Sequence, residues 1–296
     1  MKIEEVGKVT AVGVGVMGYG IAMTCARSGF ETMMVDVSKD ILEGAYSQIK
    51  DGPFGLMKLV GKGKMTKQEM DNIVGRIKST TDLHEAAKDA DVVIEAISED
   101  PELKKRIWKQ YDELCPERTI FASNTSTIMI TDQASVTRRP DRFIGMHWFN
   151  PAQVMTLIEV IRGALTSDET FNFMMDFCQK LGKNPVEAKD APGFFTSRFI
   201  SSIMHSAVRM FEQGVAGIKE IDTMCKQGFG FPMGPFELMD LTGLDIPLHG
   251  ADYVYNITGD PMDKAPLTLR KLVAAGYIGR KLGSKGGWYD YYHISK

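Results

Sequence analysis

The chain has 296 residues, 44% of them hydrophobic and 25% charged, so it is long enough for two domains and too apolar to be mostly disordered. Its 35 Lys and Arg residues against 38 Asp and Glu residues give a formal net charge of −3, which argues against nucleic acid as a partner. The 4 cysteines contain no CxxC pair, so we expect neither a disulfide framework nor a bound metal.

The sequence carries no recognisable signal for export or for a membrane. Its first residues lack the basic start and apolar stretch of a signal peptide. The apolar run 92–97 is interrupted by Glu95, and it is far shorter than the roughly 18 apolar residues that a membrane helix needs. We therefore expect a cytoplasmic enzyme without a membrane partner.

Up to residue 188, short β-branched runs alternate with helical patterns. The runs cover residues 8–13, 32–36, 91–97, 119–124, 142–148 and 156–161. Helical spacing of apolar residues marks 102–114 and 169–182, whereas Pro53 breaks the glycine- and lysine-rich segment 50–66. This alternation predicts an α/β domain over residues 1–188 with a mainly parallel sheet.

Strand signals almost vanish after residue 188. The segments 197–214, 218–230 and 235–256 have helical patterns, the last one broken by glycine. We therefore predict an all-α C-terminal domain over residues 189–296.

A glycine-rich loop follows the first predicted strand and leads directly into a helix. It consists of Gly13, Val14, Gly15, Val16, Met17 and Gly18. Gly13 permits a tight turn, Gly15 lets a pyrophosphate approach the backbone, and Gly18 allows the helix to pack closely on the strand. Asp36 closes the second strand, where a carboxylate binds the adenosine ribose and repels a 2′-phosphate. The pattern predicts a Rossmann-type domain that binds NAD rather than NADP.

Polar clusters end or begin the later predicted strands, where ligands bind in open α/β sheets. They cover residues 123–127, 145–151 and 158–160. A histidine that titrates near neutrality can remove a hydroxyl proton while a hydride leaves, which makes His147 the candidate general base. Glu159, on the neighbouring predicted strand, could orient the imidazole of His147 and stabilise its charged form.

A series of longer motifs extends over nearly the whole chain. In order, they are GVGVMGYGIA, VVIEAI, FASNTST, RFIGMHWFNP, KDAPGF, PMGPFELMDLTGLD and YIGRKLGSKGGWYDY. Together they resemble the L-3-hydroxyacyl-CoA dehydrogenases, including the bacterial 3-hydroxybutyryl-CoA dehydrogenases. The resemblance implies NAD-dependent oxidation of an (S)-3-hydroxyacyl-CoA, and the reverse reaction, in fatty acid metabolism or β-oxidation. It also implies a homodimer formed through the C-terminal domain.

The resemblance assigns roles to individual residues. His147 would be the general base paired with Glu159, and Ser126 would hydrogen-bond the substrate oxygen. The cofactor contacts, added to those of the glycine loop and Asp36, would be Glu99, Lys104, Asn124 and Asn150.

The sequence departs from the family pattern at three places. Ser197 stands where the motif PGFxxNR has an asparagine that hydrogen-bonds the substrate carbonyl, and a serine hydroxyl reaches less far than a carboxamide. Asp100 replaces a common asparagine. The segment 50–66 lacks the usual serine that contacts CoA, which leaves three candidates for the CoA phosphates: Lys50, Lys58 and Lys62.

These departures keep more than one function open. We expect an active acyl-CoA dehydrogenase with an altered preference or rate. The alternatives are a dehydrogenase of a free hydroxy acid or carnitine-like substrate, and an NAD-binding homologue that is catalytically weakened by Ser197.

Overall fold

The computed structural model describes residues 1–295, and its internal contacts divide the chain into two units, Met1–Asp190 and the residues from Ala191 onward. The boundary predicted after residue 188 lies inside the last strand of the first unit, which ends at Lys189. No helix within residues 1–295 is long and apolar enough to cross a bilayer.

Within residues 1–295, the first unit contains one 8-stranded sheet. Its strands are β1 (Lys8–Val12), β2 (Glu31–Val35), β3 (Ile77–Thr80), β4 (Val92–Glu95), β5 (Ile120–Ser123), β6 (Phe143–Trp148), β7 (Leu157–Arg162) and β8 (Asn184–Lys189). Their spatial order is β3-β2-β1-β4-β5-β6-β7-β8. Neighbouring strands are parallel except for β6 and β7, which pair antiparallel. The predicted Rossmann-type α/β class with a mainly parallel sheet is thus confirmed.

Helices cover the sheet on both faces, because successive side chains of a strand point to opposite sides. Ile120 of β5 belongs to a buried apolar cluster with Cys25, whereas the ring of its neighbour Phe121 packs 5.2 Å from that of Trp108. The helices are α1 (Gly18–Arg27), α2 (Lys39–Asp51), α3 (Leu56–Gly61), α4 (Lys67–Gly75), α5 (Leu83–Ala87), α6 (Pro101–Leu114), α7 (Ile130–Ala134) and α8 (Asp168–Lys180). The segment 50–66 contains α3, separated from α2 and α4 by turns.

Local chemistry explains where several of these helices begin and end. The side chain of Asp100 accepts a hydrogen bond of 2.9 Å from the Leu103 amide and caps α6. Aspartate and asparagine are about equally good N-caps, so the departure at this position preserves the start of α6. Gly182, with φ +72, follows α8 in the left-handed conformation that commonly ends a helix.

The second unit is helical, as predicted. Its helices are α9 (Thr196–Glu212), α10 (Ile218–Phe229), α11 (Pro235–Thr242), α12 (Asp245–Thr258), α13 (Leu267–Ala274) and α14 (Trp288–Tyr291). Buried Asp222 accepts hydrogen bonds of 2.9 Å from the Phe236 and Glu237 amides at the start of α11. A Cβ on Gly234 would lie 2.3 Å from Asp222 Cγ. Part of the PMGPFEL motif therefore serves to dock this helix start.

His205, on α9, is buried at 2% exposure and makes the second unit sensitive to acid. Burial, aided by the charge of Arg209, lowers the pKa of His205 from 6.5 to about 4, while Asp263 acts in the opposite direction. The unfolded chain therefore takes up a proton first, so stability is intact above pH 6.5 and declines as the pH falls toward about 4. We expect His205 to account for a loss of at most about 3 kcal/mol in the free energy of unfolding.

Urea unfolding of the natural chain and of His205→Gln, each at neutral pH and near pH 4.5, measures this contribution. Glutamine does not titrate, so the variant should lose less stability on acidification than the natural chain does. Equal losses in the two proteins would contradict the assignment to His205.

Candidate active site

The glycine loop joins β1 to α1 in a backbone arrangement that leaves no room for side chains at its ends. Gly13 has a φ of +79, and a Cβ on Gly18 would lie 1.8 Å from the Gly13 carbonyl oxygen. A Cβ on Gly15, in contrast, would meet nothing within 4 Å. The loop between Gly13 and Gly18 therefore has open space over its backbone at Gly15, which fits the pyrophosphate of a dinucleotide. Val16 and Met17 complete it, with Val16 64% exposed.

Asp36 lies beside this loop, directly after β2. One carboxylate oxygen accepts a hydrogen bond of 2.8 Å from the Val14 amide, and the other accepts one of 2.7 Å from the Val37 amide. The order of the strands reverses between β1 and β4, since the chain proceeds to β2 and β3 before it returns. Dinucleotides bind across such a reversal, outside the carboxyl ends of the strands. The loop and Asp36 thus form a cradle suited to the adenosine and pyrophosphate of NAD.

His147 and Glu159 face each other across the antiparallel pair β6 and β7. They are direct register partners, and residues opposite each other on such strands share one face of the sheet. His147 Nδ1 and Glu159 Oε2 are 2.7 Å apart, and the residues are 5% and 3% exposed. A carboxylate can only accept hydrogen bonds, so Nδ1 carries the hydrogen and the lone pair of the neutral ring resides on Nε2. The structure therefore brings the two predicted residues together in the arrangement a general base requires.

The loop after β5 is held against the strand that carries His147. Asn124 Oδ1 accepts a hydrogen bond of 2.8 Å from the Trp148 amide. Glu99 Oε1 accepts hydrogen bonds from Thr125 Oγ1 at 2.5 Å and from the Ser126 amide at 2.8 Å. Asn124 and Ser126 thus share one loop whose shape depends on Glu99.

Lys104, a predicted cofactor contact, is almost completely buried. Its ammonium group lies 2.5 Å from Glu95 Oε1 and 3.3 Å from Glu99 Oε2. Burial alone would lower the pKa of Lys104, but the two carboxylates outweigh it and raise the pKa above its ordinary value. Burial would likewise raise the pKa of Glu99, but Lys104 and the hydrogen bonds from residues 125–127 hold it below its usual range. Lys104 and Glu99 are therefore charged at neutral pH.

The other predicted site residues belong to other elements of the fold. Lys50, Lys58 and Lys62 are exposed at the end of α2, within α3 and just after α3. Asn150 is exposed at a bend and precedes a cis peptide bond to Pro151. Ser197 is half-buried in the first turn of α9, in the second unit.

Two residues of the site were missed by the sequence-based reasoning. Lys183 Nζ donates to the Ala152 and Met155 carbonyl oxygens at 2.6 and 2.7 Å, and so holds the loop that follows the HWFNP motif. Glu95 was taken only as an interruption of an apolar run, although it is the fully buried partner of Lys104. A charged residue inside a buried strand is the signal that could have pointed to it.

Comparison with known proteins agrees with this geometry. Residues 8–191 match the family model described as 3-hydroxyacyl-CoA dehydrogenase, NAD binding domain, and residues 193–291 match that of the C-terminal domain. The chain belongs to the 3-hydroxyacyl-CoA dehydrogenase family. The predicted family, the enzyme class and NAD as the cofactor are thus confirmed, and the chain is an NAD-dependent 3-hydroxyacyl-CoA dehydrogenase.

Individual members of the 3-hydroxyacyl-CoA dehydrogenase family resemble the chain over most of their length. A probable 3-hydroxybutyryl-CoA dehydrogenase of Bacillus subtilis is 41% identical over 97% of this chain and 98% of its own. The mitochondrial hydroxyacyl-coenzyme A dehydrogenase of Homo sapiens is 39% identical over 96% of this chain and 90% of its own. A crystal structure of (S)-3-hydroxybutyryl-CoA dehydrogenase from Ralstonia eutropha superposes with a TM-score of 0.88 at 40% identity, covering 95% of this chain and 98% of that one.

Proposed function

We propose that the enzyme oxidises the 3-hydroxyl group of an (S)-3-hydroxyacyl-CoA, with His147 as the general base. The buried 2.7 Å contact between His147 and Glu159 carries this assignment. His147 Nε2 accepts the hydroxyl proton, and Glu159 stabilises the imidazolium that forms. NAD, when bound, accepts the hydride. In the reverse direction, His147 returns the proton to the oxygen of the reduced carbonyl.

Two serine hydroxyls would contact the substrate. Ser126, on the loop tied to Glu99, would hydrogen-bond the reacting oxygen, and Ser197 would provide a second contact from α9. The exposed ammonium groups of Lys50, Lys58 and Lys62 suit the phosphates of CoA. Glu99, Lys104, Asn124 and Asn150 would surround the nicotinamide half of NAD, opposite the adenosine half at Asp36.

The decisive assay follows the loss of NADH absorbance with acetoacetyl-CoA and, separately, with free acetoacetate. Turnover of the thioester with a much higher kcat/KM than of the free acid is expected if the substrate is an acyl-CoA. A preference for the free acid would favour the alternative of a hydroxy-acid dehydrogenase. NADH binding without turnover of either compound would favour a catalytically weakened homologue.

The proposal also covers the pathway, the compartment and the oligomeric state of the enzyme. The chain would act in fatty acid β-oxidation in the cytoplasm, as a homodimer through its helical unit. Exposed apolar side chains of that unit, among them Phe199 of α9 at 55% exposure and Phe229 of α10 at 75%, support a partner surface there. Sedimentation equilibrium would give twice the mass of the chain for the dimer and the mass of a single chain if the proposal is wrong.

Cofactor choice is expected to depend on Asp36. Asp36→Ala removes a carboxylate that would repel a 2′-phosphate, so the ratio of kcat/KM for NADH to that for NADPH should fall by about 10-fold or more, since one lost charge contact is worth at least about 1.4 kcal/mol. Steady-state kinetics with both cofactors measure the ratio. Asp40→Ala, a change in an exposed carboxylate of α2, is the matched control and should leave the ratio unchanged. An unaltered ratio in the Asp36 variant would show that Asp36 does not contact the adenosine ribose.

A further inference from the structure

A cluster of three charged side chains lies where β4 and β5 end: Glu95 and Lys104 are buried, and Glu99 is exposed at the surface. We propose that Glu95 is a positioning residue for the nicotinamide half of NAD, which acts through Lys104 and Glu99 without touching the cofactor itself. The inference rests on the proposed contact of Glu99 with the cofactor.

Glu95 is fully committed to protein partners. It is the last residue of β4 and is 0% exposed. Its Oε1 atom accepts from Lys104 Nζ at 2.5 Å and from the Ile97 amide at 2.8 Å. Its Oε2 atom accepts from Ser123 Oγ, at the end of β5, at 2.8 Å. A carboxylate so occupied and shielded from solvent acts on a ligand only through its neighbours.

Lys104 connects buried Glu95 to Glu99 at the surface of the site. Its ammonium group bridges to Glu99 Oε2 at 3.3 Å, while Glu99 Oε1 binds the loop 125–127. Without the charge of Glu95, a buried ammonium keeps only one carboxylate partner and is drawn toward Glu99, because an uncompensated buried charge is costly. Glu99 and the loop with Ser126 would then lose their present positions.

The strand order indicates which half of NAD this affects. Asp36 follows β2 on one side of β1, whereas Glu95 and Ser123 end β4 and β5 on the other side. A dinucleotide that spans the reversal with its adenosine at Asp36 therefore extends its nicotinamide half over β4 and β5. The cluster lies on the nicotinamide side.

The test compares the affinities of Glu95→Gln for NADH and for ADP, which lacks the nicotinamide and its ribose. NADH fluorescence gives the first dissociation constant, and displacement of NADH by ADP gives the second. We expect NADH to bind about 10-fold more weakly, the effect of one lost charge-assisted hydrogen bond, and ADP affinity to stay within about 2-fold.

Asp112→Asn is the matched control. Asp112 is a buried carboxylate in the last turn of α6, and it binds Arg138 and Arg139 at 2.9 and 2.8 Å. Its loss should lower the melting temperature without altering the ratio of the two affinities. Equal weakening of NADH and ADP by Glu95→Gln, or no weakening of either, would overturn the inference.

Further variants separate this inference from the proposed function. Ser123→Ala removes one hydrogen bond to Glu95 without a change of charge, and it should weaken NADH about 3-fold even if Glu95→Gln does not fold. In a double-mutant cycle, Glu95→Gln should add little to the loss of NADH affinity caused by Lys104→Met, because both residues act along one chain of contacts. Full additivity of the two losses would contradict an effect of Glu95 through Lys104.

Glu99→Gln separates the two proposals. If it leaves NADH affinity unchanged, the proposed contact of Glu99 is wrong. If Glu99→Gln weakens NADH but Glu95→Gln does not, only the inference about Glu95 is wrong.

Discussion

Replacing His147 by alanine is expected to lower kcat for acetoacetyl-CoA reduction by about 10⁴, the upper end of what general acid–base catalysis contributes. The variant has no group that can exchange the proton with the substrate oxygen. NADH binding should persist, because the proposed cofactor contacts lie on the glycine loop, Asp36 and Glu99. Stopped-flow measurement of hydride transfer, together with NADH fluorescence titration, separates the two quantities.

An exposed histidine of the same unit provides the control. His84→Ala, in α5, alters a side chain in contact with solvent and should leave both quantities unchanged. Unchanged hydride transfer in His147→Ala would rule out His147 as the base. Loss of NADH binding together with turnover would instead indicate that the variant damages the fold of the NAD-binding unit.

The role of Glu159 can be tested by the same measurement of hydride transfer. Glutamine at position 159 can still occupy the space between β6 and β7, but it supplies no negative charge to the imidazolium. Glu159→Gln should therefore lower the rate less than His147→Ala. In the double variant the two effects should not add, since Glu159 acts only through the ring of His147.

The parts of the molecule that could be predicted from sequence are those with a local pattern. The glycine loop lies between a strand and a helix within a short stretch of chain, so its residues reveal its conformation. His147 and Glu159 belong to consecutive strands, and an antiparallel pair places them opposite each other. Both patterns can be recognised because they involve segments that are adjacent along the chain.

The parts that were missed depend on residues far apart in the chain or on weak patterns. β3 and β8 are the outer strands of the sheet and largely exposed, so they lack the apolar runs that marked the inner strands. The role of Glu95 depends on Lys104 of α6 and Ser123 of β5, which contact it only in the folded chain. The two outer strands carry none of the predicted site residues, whereas Glu95 directly binds Lys104.

Replacing Ser197 by asparagine is expected to raise kcat for acetoacetyl-CoA by about 10², because removing one donor to a reacting oxygen typically costs 10²–10³. Ser197 lies in the first turn of α9, half-buried, and a carboxamide at this position extends farther than the hydroxyl and donates two hydrogens instead of one. The same measurement on Ser202→Asn, an exposed serine of the same helix, controls for the general effect of asparagine on α9.

A gain in kcat confined to Ser197→Asn would mean that serine limits the rate with simple acyl groups and is suited to a substrate with a polar contact of its own. A loss of activity in Ser197→Asn would mean that the serine hydroxyl already binds the reacting oxygen, directly or through a water molecule, and that the larger side chain displaces the substrate.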